Sequence, residues 1–325
     1  MGQGVHNTKN QRHVSFIDLA QTGAAGRWRY LISFPLIVAL WLMFINLIPL
    51  IVGFAKNNFC GGECSIIAPT LLPENTGPGA FFYVGQYILM MLSIILLLPA
   101  NLLIVSLVHR RPWRTLFIAG TKINWRGFRV SLCVSLLLLL AWVAMGLKGG
   151  EGQFNAHFDL KIWTIVVLLS CILIPLQILA EEVFFRGYLM QAVAQFTSLF
   201  LWRLLIPALV FGGLHVFNDG VIESGRWVMV YYLLMSLYLG LLVFWGNGLE
   251  YSAGFHLSTN IVALLVVTTP NFSLGISTLI EMPDSVWGVR ELLFGLGYFS
   301  LHYAGVFGWM RLRHVVGPVG SNRLV

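Results

Sequence analysis

Charge is what this chain has least of. Only 10% of its 325 residues are Asp, Glu, Lys or Arg, against 58% hydrophobic and a mean hydropathy of +0.80. That balance excludes a soluble globular domain and describes a polytopic membrane protein. Runs that alternate apolar and polar over ten residues are missing too, which argues against a β-barrel; the apolar runs here are continuous and Leu-rich. No internal repeat or low-complexity tract stands out. A cleavable signal is not expected, because about 30 mostly polar residues precede the first apolar run and that run is longer than a signal's apolar region. Cysteine is scarce, with four in all. Cys133 and Cys171 lie in apolar runs, where a small apolar thiol is ordinary. Cys60 and Cys64 share one loop, where a disulfide is expected over zinc because no second ligand pair is near.

What is present is a series of apolar runs near the ~20 residues a membrane-crossing helix needs. They fall at Leu31–Phe54, Phe81–Leu107, Val130–Leu147, Ile162–Ala180, Leu199–Leu214, Trp227–Trp245, Leu249–Val267 and Leu292–Met310. The expected fold class is an all-α bundle of about eight transmembrane helices. Its parts are a basic arm, 1–29; three helices with the Cys60/Cys64 loop, 30–160; core helices, 161–268; and a last helix with a basic tail, 269–325. An even number of spans puts both termini on one side. The segments on that side carry 15 of the 20 Lys and Arg residues, so it is read as the cytoplasm. Topology thereby accounts for the formal charge of +7, and no nucleic-acid partner is called for.

Against this background three polar pairs stand out, each spaced four residues apart and so placed on one helical face. In Glu181-Glu182-Val183-Phe184-Phe185-Arg186 the pair is Glu182 with Arg186, the acid preceding the base. Glu181 lies about 100° around the helix and is left without that partner, which suits a general base or acid. In Phe211-Gly212-Gly213-Leu214-His215 the two glycines are expected to admit another helix closely; Asn218 and Asp219 follow and could orient the imidazole or end the helix. In Phe255-His256-Leu257-Ser258-Thr259-Asn260 the pair is His256 with Asn260, and Gly254 again permits close approach. Each pair also has a plain reading as buried hydrogen bonding between helices, yet ionisable groups at membrane depth usually mark function.

Taken in order, Glu-Glu-x-x-x-Arg, Phe-x-x-x-His and His-x-x-x-Asn resemble the CPBP family of intramembrane proteases, the CAAX-protease and bacteriocin-processing (Abi) family that includes CAAX prenyl endopeptidases. The resemblance covers roughly Ile162–Val267. It implies an intramembrane endopeptidase in which Glu181 activates water with His215 beside it. His256 and Asn260 form the oxyanion-stabilising side, and Glu182 and Arg186 support the site. The substrate would be a peptide or lipid-anchored protein presented in membrane lipid, the location a bacterial plasma membrane.

Glu181, His215 and His256 also form a candidate zinc ligand set, as a metalloprotease reading requires. The metal-free route is preferred because the chain has no His-Glu-x-x-His helix. A serine mechanism would have to use Gly275-Ile276-Ser277, which falls in a loop, and an aspartyl mechanism has only Asp219 near a span. The rival classes are a proton-coupled transporter, using the same residues as a relay but showing no visible repeat, and a non-catalytic scaffold or immunity protein. At the motif itself the expectation is a span ending near the glutamates and an amphipathic continuation, Arg186–Phe196, lying at the cytoplasmic interface.

Overall fold

The computed structural model describes residues 15–59, 80–217, 221–269, 278–283 and 288–312. Cys60, Cys64, Asn218, Asp219 and the Gly275-Ile276-Ser277 triplet lie outside the described residues.

The architecture is all-α. In chain order the helices are α1 Arg27–Phe59, α2 Ala80–Ile95, α3 Leu97–Leu107, α4 Trp125–Gly149, α5 Leu160–Glu182, α6 Met190–Val193, α7 Phe200–Leu214, α8 Val221–Ser224, α9 Arg226–Gly246, α10 Glu250–Ile261 and α11 Val289–Leu312. Among the described residues five stretches are long and apolar enough to cross a membrane: 27–48, 83–107, 125–149, 160–193 and 227–246. The fifth, seventh and eighth expected spans meet α7, α10 and α11; α7 is a shorter apolar helix of 15 residues. The chain is an integral membrane protein, and its lipid-facing surface is what the many exposed Leu, Ile and Trp side chains of α1, α4 and α5 require.

Local chemistry sets the helix ends. Asn124 starts α4 by accepting the Gly127 N–H at 2.9 Å, and α4 stops at Gly150, whose φ of 74° suits a residue without a side chain. Asp159 starts α5 by accepting from the Lys161 and Ile162 N–H groups at 2.9 and 3.0 Å. One end of the bundle is tied by a small sheet, with β1 Gln153–Phe154 antiparallel to β3 Ile280–Glu281 and β2 Val267–Thr268 parallel to it.

The helix that carries the glutamates does not break into a span and an interfacial piece. It runs from Leu160 to Val193, 34 residues, with the segment Val183–Leu189 wound as a π-helix. Every residue from 183 to 193 is buried, which corrects the expectation of an amphipathic surface continuation. The reason is what surrounds it: α1, α3, α7 and the stretch before α1 close around it in one apolar cluster. Gly187 belongs to this packing, since a Cβ there would collide with the Leu116 carbonyl. Residues 16–21, within the sequence's polar arm, end in the same core, because Phe16, Ile17, Leu19 and Ala20 are apolar enough to bury.

The glycine expectations divide. A Cβ on Gly254 would strike the Phe128 carbonyl, so α10 does press closely on α4. At Gly212 the backbone of α9 does come close, since the Leu233 N and Cα would lie 3.6 and 3.8 Å from a Cβ there, in ordinary contact that an alanine would tolerate; Gly213 has open space beside it.

Candidate active site

The site forms where α5, α7, α9 and α10 meet. Glu182 is fully buried, and Arg186 Nη1 donates to its Oε1 at 3.0 Å, one turn along the same helix. The guanidinium is further fixed by Nη2, which donates to Ser236 Oγ at 2.8 Å and to the Ser236 carbonyl at 3.3 Å. It lies over the Phe211 ring, 4.8 Å from the centroid. A charge this deep is tolerated only when paired and hydrogen-bonded on this scale.

His256 is clamped between the two glutamates. Its Nδ1 meets Glu182 Oε1 at 2.9 Å and its Nε2 lies 3.4 Å from Glu181 Oε2. The two acids differ in access: the Glu181 side chain is 11% exposed and that of Glu182 is 0%. So the acid expected to stand apart is the one that keeps some exposed surface, although it is not without a neighbour. One turn further along α10, Asn260 Nδ2 donates to Gln177 Oε1 at 2.9 Å. Gln177 is one turn before Glu181, so α5 and α10 are joined by two successive polar rungs.

His215 stands at the end of α7. Its Nδ1 bonds the Phe211 carbonyl at 2.8 Å, which leaves Nε2 as the other ring position. The ring lies 4.2 Å from Phe211 and 4.3 Å from Tyr232. Phe211 in turn packs at 5.0 Å against Phe185 and 6.1 Å from the His256 ring. Because Phe211 meets the π-helical turn, His215 lies one turn from it and within electrostatic reach of Glu181 and His256. The structure thus gathers Glu181, Glu182, Arg186, His215, His256 and Asn260 around one region.

Among the described residues no three His, Cys, Asp or Glu side chains form a group that could hold a metal ion, Glu181, His215 and His256 included. Glu182 holds His256 Nδ1, as a carboxylate often holds the second nitrogen of a metal-binding histidine, and Nε2 faces Glu181 at 3.4 Å, but no third donor joins them in a metal-binding group among the described residues.

Sequence reasoning missed Gln177, Ser236 and Tyr232. Gln177 had a signal: an amide one turn ahead of Glu181 in an apolar run. Ser236 and Tyr232 had none, since nothing in α9 says which of its weakly polar side chains will meet another helix.

An integral membrane bundle with acids, histidines and an arginine buried at its centre defines the class. Residues 160–262 match the family described as "Rce1-like: Type II CAAX prenyl endopeptidase Rce1-like", so the resemblance to the CPBP and CAAX proteases is shown over the segment that contains all three motifs. The chain is also similar to a protein of Bacillus subtilis (strain 168) described as "Uncharacterized protein YyaK", 26% identical over 311 residues, which is 90% of this chain and 95% of that one. No solved structure matches.

Proposed function

We propose that this protein is an intramembrane endopeptidase that cleaves a peptide bond in a membrane-associated or lipid-anchored substrate. The observation that carries the reading is the His256 clamp, which separates a buried, charge-paired Glu182 from an adjacent Glu181 that keeps some exposed surface. Glu181 takes a proton from water as the oxygen attacks the scissile carbonyl, and His215, presenting Nε2, orients the same water. The resulting oxyanion is met by donors from His256 and Asn260; Asn260 turns from Gln177 to do so. Glu181 then returns its proton to the departing amine as the C–N bond breaks. Glu182 and Arg186 hold His256 in place.

The family match supports a prenylated C-terminal peptide as the first substrate to try, with lipidated bacterial peptides beside it. The test uses purified protein in liposomes and a quenched fluorescent peptide carrying an isoprenoid. Glu181→Gln is expected to lose cleavage by about 10²–10⁴-fold, the scale of general acid–base catalysis, with an unchanged melting temperature. Asn260→Ala is expected to lose about 10²–10³-fold, as removal of one oxyanion donor does. Cleavage that survives Glu181→Gln would sink the reading.

A further inference from the structure

The cytoplasmic end of the bundle, as charge places it, holds a second group of buried polar side chains that the chemistry above does not use. His109 and Arg111 follow α3 and are 0% and 2% exposed. The His109 ring is 4.2 Å from Tyr30 and 6.0 Å from Tyr188, and the two tyrosines are 6.1 Å apart. The loop after α3, the start of α1 and the π-helical segment therefore converge. The Ser33 and Tyr188 hydroxyls are buried in the same place, and neither meets a hydrogen-bond partner among the described residues. Burial, then the nearby Arg111 and Arg29, pull His109 down to about 4, so it adds no charge at neutral pH.

Arg111 differs from every other buried cation here. Its Nη1 donates to Gln191 Oε1 at 2.8 Å, and Gln191 is itself held by donating to the carbonyls of Phe16 and Thr115 at 3.0 and 2.8 Å. Nε and Nη2 meet no acceptor among the described residues, and no carboxylate among them pairs with Arg111. Residues 108–124 contain no Asp or Glu; the stretch before α1 that packs on this cluster carries Asp18, which forms no ion pair with Arg111. The Nε–Nη2 edge is the side of a guanidinium that engages two oxygens of an oxyanion in parallel. Burying that edge unanswered is strongly unfavourable. The location selects phosphate: α1 begins at Arg27 and α3 ends at Leu107, so the cluster lies at the ends of two spans, the depth of lipid headgroups. Arg29, Arg110 and Arg114 share that end and raise the local anion concentration.

We propose that Arg111, with His109 and the Tyr188 and Ser33 hydroxyls around it, binds a phosphate-type oxyanion, taken from solution or presented as the headgroup of an anionic phospholipid.

Full-length protein in uncharged detergent is melted with and without inorganic phosphate at matched ionic strength. In parallel it is melted with added phosphatidylglycerol or phosphatidylcholine. A rise with phosphate identifies the free anion; a rise with phosphatidylglycerol but not phosphatidylcholine identifies the headgroup. Arg111→Lys keeps the charge but not the fork, and is expected to fold and to lose that rise. A wild type that responds to neither ligand overturns the proposal, as does a response that Arg111→Lys retains. Arg111→Met supplies an independent sign. It is expected to melt below the wild type when the stabilising ligand is present, whereas a variant that melts higher in every condition shows a plain uncompensated charge and overturns the proposal.

Discussion

Arg186 and Arg111 are both buried to within 2% of their surface, and the long helix 160–193 contributes to the surroundings of each, yet they are compensated in different ways. Arg186 meets a carboxylate, a serine hydroxyl, a backbone carbonyl and an aromatic face. Arg111 meets a single amide oxygen. The first cluster balances its charge internally, through Glu182 and His256, and so can hold a second acid, Glu181, in a fixed place beside it. The second has donors to spare and no acid paired with it among the described residues. A network that pairs its charges, although it leaves Glu182 Oε2 without a partner among the described residues, serves to position a reacting group; one with an unanswered guanidinium edge is suited to a ligand.

The contrast can be broken most forcefully at Arg186. Arg186→Met strands Glu182 as an unpaired buried acid and is expected to destabilise by about 3–5 kcal/mol, the scale for breaking a buried pair, read as a lower melting temperature in detergent. Adding Glu182→Gln to that variant should recover part of the loss. If the double variant melts below the single one, the pair is not what holds this cluster together.

A smaller effect is expected at Gln191, the one side chain among the described residues that answers Arg111. Gln191→Leu leaves the Phe16 and Thr115 carbonyls and Arg111 Nη1 short of a partner, a loss of about 1–3 kcal/mol. Limited proteolysis should then cut near residues 16–21, which Gln191 holds down. Unchanged resistance there would separate the amino-terminal turn from the Arg111 cluster.

The smallest effect is a pH dependence at His109. Its pKa is lowered on folding from an ordinary 6.5 to about 4, so the folded protein binds the proton less well than the unfolded chain. Its contribution to stability is whole above pH 6.5 and is lost as pH falls toward 4. His109→Gln is expected to flatten that part of the melting curve against pH, and a variant whose pH profile matches the wild type would place His109 in a wetter setting.

Much of this was legible in the residues. Apolar runs of membrane length are visible wherever lipid is the solvent, and all eight met helices. The Glu182–Arg186 pair was readable because i and i+4 lie on one face, and the ion pair forms even though the helix winds as π from Val183 onward. Long-range partners were not readable. That His256 meets both acids depends on α10 packing antiparallel to α5, and the Asn260–Gln177 rung follows from the same packing. The Gly212-Gly213 step was legible in half, since Gly212 faces the α9 backbone and Gly213 faces open space; a small residue permits a close approach without requiring one. The burial of residues 183–193 was missed because local hydropathy cannot tell lipid from protein as the apolar neighbour.

By itself, then, the sequence determined the solvent, the helices and the residue types that bear on chemistry, since each follows from the free energy of a residue in its local surroundings. Only the tertiary structure decided which acid is sealed and which keeps some exposed surface, that Arg186 is answered in full, and that Arg111 is answered in part. Those depend on which helix faces lie within three ångströms of each other, and that is fixed by packing across the whole bundle.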